Sequence, residues 1–125
     1  MTSRPRDERG LSESVQWAVM CPLLLLLTLG IIQTGIYLHG RNVAHRAATS
    51  AVDSARGTFG SAAEAERVAT NFARAGGLRD ISVRVSRGPA QVEADVKARP
   101  VSILDIGLFR VHETAAAPRE RVTQP

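Results

Sequence analysis

The chain has 125 residues, of which 44% are hydrophobic, 4% are aromatic and 22% are charged, and its formal net charge is +4. The basic residues are scattered among acids and are not interleaved with aromatic residues, which argues against a nucleic-acid-binding surface. The single cysteine excludes an intramolecular disulfide framework.

The charged residues are unevenly distributed, since no Asp, Glu, Lys or Arg occurs from Ser14 to Gly40. The apolar segment 15–38 lies within this run. As a helix its 24 residues rise about 36 Å, enough to cross a hydrocarbon core of roughly 30 Å. We therefore predict a transmembrane helix over residues 15–38, preceded by a charged leader and cytoplasmic flank over residues 1–14.

Aromatic residues lie near both ends of this predicted span. Trp17 and Tyr37 are the only Trp and Tyr in the chain, and their spacing is typical of anchors at two membrane interfaces. Three arginines precede the span and two follow it closely. This margin of one residue favours a cytoplasmic N-terminus and an extracytoplasmic head in the cell membrane.

Two other kinds of N-terminal apolar segment fit the run less well. A cleaved secretory signal has a shorter apolar region, closely followed by a small-residue cleavage site, whereas Ala47–Ala48 here comes after two arginines. A lipoprotein signal places its cysteine after the apolar run, whereas Cys21 precedes five leucines. Among the polar residues of the run, Gln16 is interpreted as interfacial and Gln33 as forming helix-to-helix hydrogen bonds.

The pattern stays helical beyond the span. Small apolar residues recur three or four positions apart from Val43 to Ala55, which predicts that the membrane helix continues as a rod over residues 39–56. Gly57 and Gly60 then mark a break in the helical pattern.

A second helix is predicted over residues 62–75. Ser61 and Glu64 form a Ser-x-x-Glu capping box at its start, and Gly76–Gly77 is typical of a helix end. Its apolar face is predicted to comprise Ala65, Val68, Ala69, Phe72 and Ala75.

Alternating apolar and polar residues follow the second helix. They predict strands over 80–86 and 91–99, joined as a hairpin at Gly88–Pro89. A weaker pattern predicts a third strand over 109–115 after an apolar connection. Prolines and charges in the remaining segment, 116–125, predict a flexible tail.

Together these elements predict an α+β protein. It has a long N-terminal membrane-spanning helix that continues as a rod, a second short helix and a small three-stranded antiparallel sheet, with the head over residues 39–115. No catalytic, metal or cofactor site is predicted. His39 and His45 are six apart, not the three or four that place two ligands on one helix face.

Several segments of the N-terminal half carry a resemblance to a known family. Residues 9–16 read RGLSESVQ, Pro22 is followed by five leucines, and residues 40–48 read GRNVAHRAA. With these motifs the chain resembles the TadE-like family of pilus assembly proteins, which are minor pilins or pseudopilins of the tight-adherence (Flp pilus) secretion system. Looser matches in the head resemble actinobacterial members.

The resemblance implies processing by a prepilin peptidase, which would cut after Gly10 and leave Leu11 as the new N-terminus of a membrane helix. It also implies that the partners are the Tad secretion platform, major or minor pilins and membrane lipid, and that the membrane helix could form homo- or hetero-oligomers. The chain departs from the family at one point. Members usually have Glu at the fifth position after the cut, where this chain has Val15 followed by Gln16.

This departure bears on how subunits would align. A carboxylate can form a charge-assisted bond to the terminal amine of a neighbouring subunit, whereas Gln16 can form only neutral hydrogen bonds. Glu13 lies three residues before Gln16 and therefore near the same helix face. Glu13 is either a replacement that sets the axial register or simply a favourable acid in the first helical turn.

The leading hypothesis is a non-enzymatic, single-pass, pilin-like component of a Flp-type pilus assembly system. An alternative is a permanently anchored accessory binding protein whose leader is never cut, which Gln16 favours. A membrane-anchored extracytoplasmic hydrolase is a further alternative, but the sequence offers no residues for its chemistry.

Overall fold

The computed structural model of the chain describes residues 8–104 and 107–121. The chain divides into two compact units, and the boundary in the sequence falls between Ile32 and Gln33. The first seven residues of the predicted leader lie outside the described residues.

Two helices and three strands make up the described chain. In order they are helix α1 (Glu8–Arg56), helix α2 (Ala62–Ala75) and strands β1 (Leu78–Arg87), β2 (Gln91–Pro100) and β3 (Val111–Pro118). The strands form one antiparallel sheet in the order β1-β2-β3. The predicted α+β class, with a long N-terminal apolar helix, a second short helix and a three-stranded antiparallel sheet, is confirmed.

The core of the second unit is built mainly from alanine and valine. α1 contributes a stripe of residues spaced three or four apart, which is the period of one helix face. These residues are Val43, Ala44, Ala47, Ala48, Ala51, Val52 and Ala55. Val92, Val96 and Val111 of the sheet are the largest fully buried side chains among the described residues. The layers therefore meet through small side chains.

The ends of α2 lie where the sequence predicts them. The Ser61 side chain accepts a hydrogen bond from the Glu64 N–H at 3.3 Å, while the Glu64 carboxylate accepts one from Arg67 at 2.8 Å. The helix ends at Gly76 and Gly77, and Gly77 has a φ of +87°, which glycine adopts without steric cost.

The buried face of α2 differs from the predicted one. It is centred on Ala65, Ala69 and Ala73, whereas Phe72 is 42% exposed. The reason is close packing: a Cβ added to Gly76 at the end of α2 would come within 2.4 Å of Val43 Cγ1 of α1. The three alanines belong to the same buried cluster as Val43, so small side chains accompany this close approach, and Phe72 lies outside the cluster.

The predicted hairpin of β1 and β2 is present, with Val85 opposite Ala94. The apolar residues of β2 are all buried, as their alternation predicts. A register shift between Arg79 and Ser82 interrupts the pairing near the start of β1. β1 is an edge strand, and the Val85 N–H donates to the Glu66 carboxylate of α2 at 3.0 Å instead of to another strand.

The third strand is displaced from its predicted position. It begins at Val111, not at residue 109, and continues to Pro118, which pairs with Gln91. Residues 116–118, predicted to begin the tail, are therefore part of the sheet, because the small side chains there can pair along β2. Beyond the strand, the Arg119 N–H donates to the Ala90 carbonyl at 3.0 Å. The last four residues of the predicted tail lie outside the described residues.

Candidate membrane and assembly segment

The N-terminal part of α1 exposes an unbroken apolar surface. Every residue from Gly10 to Thr28 is exposed, including the five leucines that follow Pro22. In the described part of the chain, α1 is the one helix that is long and apolar enough to cross a membrane, by length and composition. Apolar surface of this extent is costly in water, which points to cover by lipid or by protein.

Two hydroxyl groups in this segment are satisfied within the helix itself. The Ser14 side chain donates to the Gly10 carbonyl at 2.9 Å, and the Thr28 side chain donates to the Leu24 carbonyl at 2.8 Å. Such bonds to the preceding turn let hydroxyl groups enter an apolar environment without an unpaired donor.

One face of the segment brings together the predicted assembly residues. Glu13, Gln16 and Trp17 line a shallow groove with Met20 and Leu24. The spacing of three, four and seven residues places these side chains on one side of the helix. The structure thus puts a carboxylate, an amide and an exposed indole on the same surface, where a partner helix could contact all three.

The predicted cleavage site lies in helical backbone. Both Gly10 and Leu11 belong to the first turns of α1 and are exposed. Since the Gly10 carbonyl accepts the Ser14 hydroxyl as well as a helical N–H, the peptide bond after Gly10 is held in helical geometry. Cleavage there stays a prediction.

Gln33 has a different partner from the one interpreted from sequence. Its side chain is buried, and its Nε2 donates to the Ser102 Oγ at 2.7 Å, while Ser102 in turn donates to the Leu104 carbonyl at 2.8 Å. The bond therefore joins α1 to the β2–β3 connection of the same chain instead of to another helix. The Gln33 Oε1 is buried without a hydrogen-bond partner among the described residues.

The two predicted aromatic anchors have different surroundings. Trp17 is 63% exposed. Tyr37 is half-buried, with its ring centroid 6.4 Å from that of Phe109 at an interplanar angle of 58°. Sequence reasoning missed Ser102 and Phe109 as contacts of α1. The one sequence feature that could have indicated these contacts was the apolar character of the β2–β3 connection, in which both residues lie.

A carboxylate at the edge of the sheet ties β3 to α1. Glu113 accepts from the Arg41 Nε at 2.7 Å, and its other oxygen lies 3.6 Å from the His45 Nδ1. The hydrogen bond and charge of Glu113 raise the pKa of Arg41, which stays protonated. These groups fix the position of the helix over the sheet.

The opposite face of the sheet carries a second polar pair. Asp95 of β2 contacts the His112 Nε2 and lies 3.5 Å from the Thr114 hydroxyl. The hydrogen bond from His112 is the main cause that lowers the pKa of Asp95. Within residues 8–104 and 107–121, no three His, Cys, Asp or Glu side chains converge as a metal site would require.

Comparison with known families locates a similarity in α1. Residues 12–53 match the family model described as TadE-like protein. The resemblance seen in the sequence is thereby confirmed for this segment. The matched segment begins one residue after Leu11. No curated protein and no solved structure matches the chain.

Proposed function

From the TadE-like match over residues 12–53, we propose that the protein is a single-pass membrane component of a Flp-type pilus assembly system, a minor pilin or pseudopilin that acts by packing and not by catalysis. One observation carries this proposal. The matched segment contains most of the exposed apolar part of α1 and, except for Ala55, the buried stripe that α1 contributes to the core of the head. A single helix thus supplies a membrane segment and a structural support.

Lipid is the proposed cover for the exposed apolar segment. Full burial of a leucine or isoleucine side chain stabilises by about 1.5–3 kcal/mol, so a run of such residues favours insertion strongly. The basic residues that precede the run favour a cytoplasmic N-terminus, which places the head outside the cytoplasm.

The second part of the proposal is proteolytic removal of the leader. A prepilin peptidase would cut after Gly10 and release the charged leader. Because the Gly10 carbonyl is bonded within the helix, the first turn of α1 must open before the peptidase reaches it. Gly10 favours this opening, since glycine is a poor helix former and its exposed backbone meets no other side chain.

The third part of the proposal concerns the axial register between adjacent subunits. Removal of the leader would leave the Leu11 amine two residues from Glu13, with Gln16 on the same groove. We infer that the Glu13 carboxylate pairs with the Leu11 amine of an adjacent subunit, since a charge-assisted bond is about twice as strong as a neutral one. The groove would then receive the neighbouring helix beside Trp17.

The test is intact-mass measurement of the full chain extracted from membranes, in hosts with and without the prepilin peptidase. We expect a loss equal to residues 1–10 that depends on the peptidase. Glu13→Gln should leave this processing intact but reduce incorporation into assemblies. The matched control Ser12→Ala, next to Glu13 but outside the groove, should leave both unchanged.

A chain that keeps its leader would contradict the pilin-like proposal. It would support the second candidate, a permanently anchored accessory protein. Two observations favour that candidate: Val15 followed by Gln16 stands where members of the family usually have Glu, and the peptide bond after Gly10 lies in a helix. Normal processing with unaffected assembly of Glu13→Gln would instead leave Glu13 as a favourable acid of the first turn.

A further inference from the structure

The connection between β2 and β3 exposes apolar side chains beside α1. We propose that this surface, formed by Val101, Ile103, Leu104 and Leu108 and called here the apolar loop patch, inserts into the boundary between lipid headgroups and acyl chains. It would give the head a second membrane contact in addition to α1. This inference rests on the proposed membrane span.

Three contacts fix the place of the connection in the head. Ser102 accepts from Gln33, Phe109 packs on Tyr37, and a Cβ added to Gly40 would lie 2.8 Å from the Pro100 Cβ. The connection therefore runs beside residues 33–40 of α1. These eight residues belong to the uncharged run of the sequence.

The level of residues 33–40 along α1 corresponds to the membrane boundary. The span predicted over residues 15–38 is longer than the hydrocarbon core, since its first part, residues 15–32, already rises about 27 Å against a thickness of roughly 30 Å. Gln33 then falls where acyl chains give way to headgroups. A buried amide with one oxygen unpaired in the described chain suits this level better than the bilayer centre, where an unsatisfied polar group is most costly.

The composition of the patch fits lipid. Its four side chains are 48–77% exposed, and Leu108 is the most exposed of them. Asp105 is the one acidic residue in the sequence from Pro100 to Arg110, and with Ile106 it lies outside the described residues. The described residues 100–104 and 107–109 are uncharged, and the exposed Arg110 follows directly, where a guanidinium can reach lipid phosphate.

A second copy of the chain is the competing occupant. Lipid is favoured because the patch adjoins the part of α1 that leaves the membrane, so inserting α1 brings the patch to the bilayer without a partner. Amphipathic helices that lie in the interface bury their apolar face about 5–10 Å into the boundary between headgroups and acyl chains. Leucine, isoleucine and valine side chains can reach that depth from a connection at the membrane surface.

The experiment uses the full chain with Cys21→Ser, reconstituted in phosphatidylcholine and phosphatidylglycerol vesicles. Single cysteines replace Leu108, Leu26 or Gln91 and carry an environment-sensitive fluorophore. Leu26 reports the span, and Gln91, at the other end of β2 from Pro100, is the matched control in the head. Since all three side chains are exposed, the substitutions remove no core contact.

We expect lipids with a quencher on the upper acyl chain to quench the labels at Leu108 and Leu26 and to leave the label at Gln91 accessible to aqueous iodide. Quenching at Leu26 without quenching at Leu108 would overturn the inference and leave the span intact. A blue shift at Leu108 without lipid quenching would assign the patch to a protein contact, which also overturns it. Loss of quenching at both positions would overturn the span and the proposed function together.

Discussion

Gly40 of α1 lies directly against Pro100 at the end of β2, so that a Cβ placed on Gly40 would come within 2.8 Å of the Pro100 Cβ. Gly35 lies five residues earlier in the same helix, and a Cβ placed there meets nothing within 4 Å. Side chains of Pro100 and Leu78 thus lie against Gly40, which is buried, whereas Gly35 of the same helix is exposed.

This difference predicts that substitution by alanine has opposite effects on stability at the two positions. Gly40→Ala should destabilise the head by about 1–3 kcal/mol, because the added methyl group overpacks the contact with Pro100. Gly35→Ala should be neutral or stabilise by up to about 1 kcal/mol through helix propensity. Thermal unfolding of the full chain in lipid nanodiscs, followed by circular dichroism, measures both. Equal melting temperatures for the two variants would refute the close approach.

A larger residue at the buried face of α2 should also destabilise the head. Ala69 is fully buried between the layers, whereas Ala63 on the same helix is exposed. We expect Ala69→Leu to cost about 1–3 kcal/mol and Ala63→Leu to cost less than about 0.5 kcal/mol. Amide hydrogen exchange in β1 and α2 gives the readout. Unchanged protection in Ala69→Leu would mean that α2 does not pack closely.

The carboxylate of Glu113 should contribute to stability in a salt-dependent manner. It is mostly buried and holds Arg41, so Glu113→Gln removes an ion pair that spans α1 and β3. The expected cost is about 0.5–1 kcal/mol at low salt, and it should shrink as salt is added. Glu93→Gln, on the exposed face of β2, is the matched control. A loss independent of salt would assign the effect to packing.

Asp95 makes the head sensitive to acid. Its pKa is lowered in the folded state, chiefly by the hydrogen bond to His112, so the ionised carboxylate stabilises the fold above the unfolded-state pKa of about 4. That contribution is lost as the pH falls below about 4 toward the folded-state pKa. Comparing unfolding at pH 5 and pH 3, we expect Asp95→Asn to lose less stability than the unsubstituted chain. The same loss in both chains would show that Asp95 does not contribute.

Local patterns in the sequence predict much of this fold. The alternation in β2 specifies its buried face, and Ser61 with Gly76–Gly77 specifies the ends of α2, because each signal depends on residues only a few positions apart. The shared face of Glu13 and Gln16 follows from helical spacing in the same way.

Contacts that depend on size or on distant residues could not be predicted. Hydrophobicity alone favours Phe72 over Ala73 for the buried face of α2, but the structure buries Ala73 and leaves Phe72 largely exposed. The alanines of β3 have weak strand propensity, so the end of that strand is set by pairing with β2. Gln33 and Ser102 are 69 residues apart in the chain, and no local pattern links them.

The Glu66 carboxylate occupies the backbone N–H of Val85 on the open edge of β1. Unpaired edges of this kind recruit strands from other chains and lead to aggregation. For subunits confined to the plane of a membrane, as proposed here, encounters between heads are frequent, and this hazard grows. An incoming strand would have to displace this charged side chain near the C-terminal end of β1, so Glu66 protects the sheet from pairing with the sheet of a neighbouring subunit while leaving the helices free to assemble.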